Sequence, residues 1–360
     1  MTGTTAHLTA NGSGPDAGGT GHGDGPGDPA GRRTAGRRLS PRGLAWLVWR
    51  QHRLVLGVLL AGSAAAAVWG AVLRGRMAGF IDAHHLAGCS LISLVPRCEG
   101  TQEAVGAFRA AYHSSLQLAE LGLVLLPALI GVFLGAPLIA RELEAGTHQL
   151  VLTQSVGPLR WLAAKLALPA LVVLAATSGL SAVFAWLWQV GGDEVSGSYW
   201  YSTLGFGSLG PIPVAYALLG LAVGTLTGLL LRRTVASMAL TLAAMIVLQS
   251  AFHLLRPYLM PVTTTEFGRD AATRAPDDSW VLGEGHTTRS GARLSAEDMG
   301  CRPDGDYAAC LREHEVTGRF LDQHPVAHHW PLAWIEAGLV LAVAAALTAV
   351  AFRVMRRRHG

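Results

Sequence analysis

Six stretches of this 360-residue chain run for twenty residues or more with almost no charge. Residues 54–73, 121–140, 166–190, 211–231 and 234–255 contain no Asp, Glu, Lys or Arg, and 331–352 contains only Glu336. About 20 apolar residues at a 1.5 Å rise cross the roughly 30 Å hydrocarbon core of a bilayer. A soluble protein holding six such helices would need a polar shell, and the composition does not supply one. Only 14% of the residues are charged, against about 25% in soluble domains. The fold class that follows is an all-α integral membrane protein with six transmembrane helices.

The basic residues orient the bundle. Seven arginines lie between Arg32 and Arg53, Arg232 and Arg233 join the fourth run to the fifth, and Arg353, Arg356, Arg357 and Arg358 close the chain. With Arg141, Arg160 and Lys165 these segments hold 16 of the 28 basic residues, whereas 191–210 holds none. Short loops rich in Lys and Arg stay cytoplasmic, so both termini are expected inside. Residues 256–330 then form a long extracellular loop between helices five and six. The cysteines agree: Cys89, Cys98, Cys301 and Cys310 all fall in the expected outer loops, where disulfides persist. Eight residues separate the members of each neighbouring pair, which suggests two loop-local bridges, although four cysteines allow three pairings. The net charge of +4 gathers at span ends, so it points to membrane lipid and not to nucleic acid.

Between and around the spans the reading is coarser. Residues 1–39, rich in Gly, Thr, Ser, Pro and Asp, cannot bury enough apolar surface to order themselves and read as a disordered cytosolic tail. In 40–53, Ser40 and Pro41 suit the start of a helix. Leu44, Ala45, Leu47, Val48 and Trp49 share one arc, opposite Arg42, Arg50 and Arg53. That pattern predicts an interfacial amphipathic helix, the alternative being a simple extension of the first span. Helices one to five occupy 54–255, helix six 331–352, and 353–360 is a basic cytosolic tail. Glu120, His253 and Glu336 sit near span ends, where such groups usually snorkel or hydrate. Gly220, Gly224 and Gly228 form a small-residue ridge for close helix packing, more often inside one subunit than between two. In the outer loop, SWVLGEGHTTRSG suggests a hairpin. His314, His324, His328 and His329 do not fall into zinc spacing, so no metal site is assigned.

The most informative segment is RELEAGTHQLVLTQSVGPLRWLAAK, residues 141–165, on the expected cytosolic face. Glu142 to about Gln154 suits a short helix, Gly157-Pro158 breaks it, and Arg160, Trp161 and Lys165 are placed to anchor the next span at the headgroups. A short helix held between two spans passes force to both. Glu142, Glu144, Gly146-Thr147, Leu150 to Leu152, Thr153, Ser155-Val156, Pro158, Arg160 and Lys165 resemble the intracellular loop of type-2 ATP-binding-cassette exporter permeases, with Pro158 here following Val156. The resemblance implies a coupling helix that docks on a cytosolic ATPase subunit through Arg141, Glu142, Glu144, Gly146, Thr147, Leu150 and Arg160. It also implies a homodimer, or a heterodimer with another permease.

No P-loop is present, since the sole lysine, Lys165, lies between Ala164 and Leu166 and lacks the G-x-x-x-x-G-K-[ST] frame. The chain is therefore read as a non-enzymatic permease without a cofactor of its own, ATP and magnesium belonging to the partner. Apolar walls favour a hydrophobic, lipid-like or peptide cargo. Twenty-seven arginines to one lysine suggest a GC-rich bacterial genome and hence a multi-pass protein of a bacterial cell membrane. Two other readings are an ion-coupled secondary transporter, which usually carries midplane carboxylates, and a non-transporting sensor or immunity protein on the same scaffold.

Overall fold

The computed structural model describes residues 41–89, 96–146, 157–269, 278–295, 297–301 and 306–359. The expected tail 1–39 lies outside them. Among the described residues six helices are long and apolar enough to cross a membrane: Arg53–Ala83, Gln102–Glu144, Pro158–Gly192, Ile212–Leu231, Thr234–Tyr258 and Val326–Arg358. Their alternation sets two ends. One carries Glu144, Arg232 and Arg358, and is called here the basic end; the other carries a β-sheet between the fifth and sixth spans. Residues 41–53 do not form a separate segment, because Pro41–Ala83 is one uninterrupted helix. No proline breaks the stretch Arg50–Arg53, so the hydrogen-bond ladder runs straight through it.

The second and fourth spans make the centre. Their crossing is close because it is built from glycines: a Cβ at Gly224 would sit 2.6 Å from the Ala136 backbone nitrogen, and one at Gly131 2.8 Å from the Gly220 carbonyl oxygen. Gly228 faces the Ala136 carbonyl in the same way. The ridge 220–224–228 therefore packs inside the subunit, backbone against backbone. The second span departs from α geometry at this crossing. Gly131–Gly135 is a π-helical turn just after Pro127, after which the α-helix resumes at Ala136–Glu144. Such single-turn π segments occur disproportionately at functional sites.

The segment between the fifth and sixth spans is not a plain loop, and the fold is not purely α-helical. Thr263–Gly268 (β1), Trp280–Thr288 (β2), Arg293–Leu294 (β3) and Val316–His324 (β4) form a four-stranded antiparallel sheet in the order β1-β4-β2-β3. The expected hairpin is β2–β3, closed by the Gly291 N–H donating to the Thr288 carbonyl. β1 pairs with β4 from Thr263↔Gln323 to Gly268↔Gly318, which brings the end of the fifth span beside the start of the sixth. A short helix, Tyr307–Glu313, is capped by Asp306 and packs with Met299 and Val316 around the Cys301–Cys310 disulfide. Cys89–Cys98 is the second bridge. Both pairings are the loop-local ones. His314 lies beside the Cys301–Cys310 bridge, its ring nitrogen and the two sulfurs within 4.8 Å of one another. Joined as a disulfide, the sulfurs offer no thiolate to a metal.

Trp200 fixes the sheet to the bundle. It is fully buried, its indole N–H donates to the Asp278 carbonyl at 2.7 Å, and its ring meets Trp280 edge-on. Glu120, expected at a wet span end, is instead 3% exposed and accepts from the Ser198 hydroxyl.

Candidate functional site

At the basic end the second span finishes at Glu144, and Gly146 turns the chain with φ of 68°, a left-handed conformation that favours glycine. The third span begins at Pro158, the position a proline suits best. Two acids tie the ends of this connection to the bundle. Glu142 forms an ion pair with Lys165, whose ammonium also lies 5.2 Å from the centre of the Trp161 ring. Glu144 accepts from both the Thr234 N–H at 3.0 Å and its hydroxyl at 2.7 Å. It thus satisfies a first-turn donor of the fifth span, the task an N-cap side chain normally performs. Arg358 donates to the Leu229 carbonyl at the end of the fourth span, where Arg232 adopts φ of 54° to end the helix.

The residues expected to meet a partner therefore divide. Arg141, Glu144, Gly146 and Arg160 are exposed, and Glu142 is half-buried against Lys165. Thr147 and Leu150 lie outside the described residues, as does the body of the expected coupling helix. The expectation that Trp161 and Lys165 reach the headgroups is corrected: they are 5% and 3% exposed. Arg160 alone of the three faces outward. Lysine turns inward because Glu142, one helical segment away, supplies the opposite charge.

Between the first, second and third spans lies a cavity of about 680 Å³. Val58, Trp69, Leu126, Phe133, Leu180 and Phe184 are among its walls, and its few polar atoms include the Ser63 hydroxyl. Such a volume is within the range of small-molecule sites, about 300–1,000 Å³. Its chemistry is that of a solvent for apolar chains.

The sheet end holds a charge cluster that sequence reasoning did not assemble. Glu336, on the sixth span, is fully buried and receives a two-pronged bond from Arg256: Nε to Oε2 at 2.7 Å and Nη2 to Oε1 at 3.1 Å. The Tyr216 hydroxyl donates to Oε1 at 2.9 Å. The Arg256 guanidinium stacks on Phe206 at 3.9 Å. Glu336 neither snorkels nor hydrates. A carboxylate inside an apolar run requires a buried cation, and Arg256, directly after the uncharged run 234–255, was the signal available for finding it.

A family described as "ABC-2 membrane transporter related" has a sequence model that matches residues 60–256, more than half of the chain. The chain belongs to this family. It is an ABC-2 type permease, a membrane component of a transporter, and the match runs from within the first span to Arg256. It takes in the glycine crossing, the π turn and both ends of the Glu142–Lys165 connection. The sheet and the sixth span lie beyond the match. No curated protein matches the sequence.

Proposed function

We propose that this ABC-2 permease is the transmembrane half of an ATP-driven exporter in a bacterial cell membrane. Its basic end faces the cytoplasm, its sheet lies outside, and two permease subunits pair. The segment between the second and third spans docks on a separate ATPase, which binds ATP and magnesium. The observation that supports this reading most is the double tether at that segment. With Glu142 held by Lys165 and Glu144 held by Thr234, a push on the connection reaches the second, third and fifth spans together.

In this reading Glu142 and Glu144 transmit load, and the exposed Arg141, Gly146 and Arg160 offer the contact surface to the ATPase. The bias that ATP exerts on the permease equals the difference in contact free energy between the two conformations. The apolar cavity bounded by Trp69, Phe133 and Phe184 suits a hydrophobic or lipid-like cargo.

Sidedness tests the foundation. All four cysteines are bridged, so Gly146→Cys and Asp298→Cys each introduce one thiol. An impermeant maleimide is expected to label Gly146→Cys only in inside-out vesicles and Asp298→Cys only in right-side-out cells. The opposite pattern overturns the orientation and, with it, ATPase docking at the connection.

A further inference from the structure

Beside the Arg256–Glu336 pair lies a second cavity, of about 380 Å³, between the second, fourth and fifth spans. Its wall is divided by polarity. Leu123, Val124 and Leu254 supply apolar surface, and Gln249, His253 and Arg256 supply polar groups. Arg256 is 4% exposed, yet its Nη1 has no hydrogen-bond partner among the described residues. The buried Nδ1 of His253, on the same wall, has none either. The cavity opens sideways: Ser250 at its lip is exposed, and Leu254 is 70% exposed. That mouth faces the direction lipid would occupy.

Guanidinium nitrogens are donors only, so the group that satisfies Nη1 must bring a lone pair. Glu336 already engages Nε and Nη2, which fixes the plane of the fork and leaves the third nitrogen aimed away from the ion pair. The His253 ring accepts or donates according to its tautomer, so it tolerates a carbonyl, carboxylate or phosphoryl oxygen next to Arg256. A trimethylammonium head meets the like charge of Arg256 and has no lone pair to offer Nη1.

We infer that this cavity binds the oxygen-bearing anionic head of an amphipathic molecule, seated on Arg256 and His253, with its apolar chain running along Leu123, Val124 and Leu254. The site goes beyond the exporter reading and does not depend on ATP coupling, because it is defined by binding alone.

The full-length protein in lipid nanodiscs is exposed to three single-chain probes carrying the same photoreactive alkyl group: one ending in a carboxylate, one in a phosphate monoester and one in a trimethylammonium. Labelled peptides are mapped by mass spectrometry. Labelling of 249–256 by the carboxylate or the phosphate probe, with little from the ammonium probe, is expected, and the two anionic arms tell a fatty acid from a phospholipid head. Ser250→Trp, at the exposed lip, leaves the ion pair intact and should abolish that labelling with an unchanged melting temperature. His253→Phe should weaken it by about threefold to tenfold, the loss of one hydrogen bond. Equal labelling by all three heads, labelling that survives Ser250→Trp, or no labelling of 249–256 overturns the assignment.

Discussion

Glu142 and Lys165 meet as an ion pair across the connection between the second and third spans, and Lys165 is the only lysine in the chain. Removing one partner of a buried pair typically costs about 3–5 kcal/mol, and replacing both by apolar groups is often neutral. The Glu142 side chain keeps 16% of its exposure, so the lower end of that range is expected. Lys165→Met alone should lower the melting temperature in detergent. Lys165→Met with Glu142→Leu should recover most of the loss. Equal melting of the single and double variants would show that the pair does not hold the connection.

The crossing of the second and fourth spans makes a sharper prediction, because it is steric. A Cβ at Gly224 meets backbone atoms of Ala136 and Gly135 at 2.6 and 2.8 Å, whereas one at Gly122 meets nothing within 4 Å. Backbone cannot rotate aside as a side chain can. Gly224→Ala should destabilise by about 1–3 kcal/mol, the usual cost of overpacking, and Gly122→Ala should not. Thermal unfolding of the two variants in the same detergent decides the matter.

The join between sheet and bundle should respond to acid. His324 is fully buried in β4; its Nε2 lies 3.1 Å from the Pro257 carbonyl and its Nδ1 3.0 Å from Nδ1 of His328. A neutral His324 satisfies both by donating to Pro257 and accepting from His328. Burial holds its imidazole below the ordinary value; the bond to Pro257 opposes this and the nearby His328 adds to it. The unfolded chain therefore takes up this proton first, near pH ~6.5. Stability from the neutral ring is full above that pH and is lost as pH falls through the lower folded value. Amide protection along β4, corrected for the intrinsic pH dependence of exchange, should fall from pH ~7 to ~5, and His324→Phe should flatten that fall. Protection that is independent of pH in the parent protein would contradict it.

Much of this architecture was legible in the sequence for physical reasons. Five uncharged runs and a sixth carrying only Glu336 leave one fold class open, since unpaired backbone in lipid is intolerable. Both disulfides were legible as neighbouring pairs. The sheet was harder. β2–β3 shows itself through its Gly-containing turn, but β1 and β4 are about fifty residues apart, and nothing local in either strand announces its partner. Pairing of Arg256 with Glu336 was hidden by a still longer separation, 80 residues. The tethers were half visible: Glu142, Glu144 and Lys165 stood out by their charge, but which groups they bind depends on how the second, third and fifth spans meet.

The central claim is that the exposed surface of the connection between the second and third spans docks on a separate ATPase. The direct measurement is affinity purification from native membranes under mild detergent, comparing the parent protein with Arg141→Glu/Arg160→Glu. Both arginines are exposed and neither forms the tethers, so the variant should melt like the parent. The account predicts that the parent brings down a soluble ATPase carrying a P-loop and that the charge-reversed variant does not. Recovery of the same ATPase in equal yield with both proteins, or of none with the parent, would contradict it.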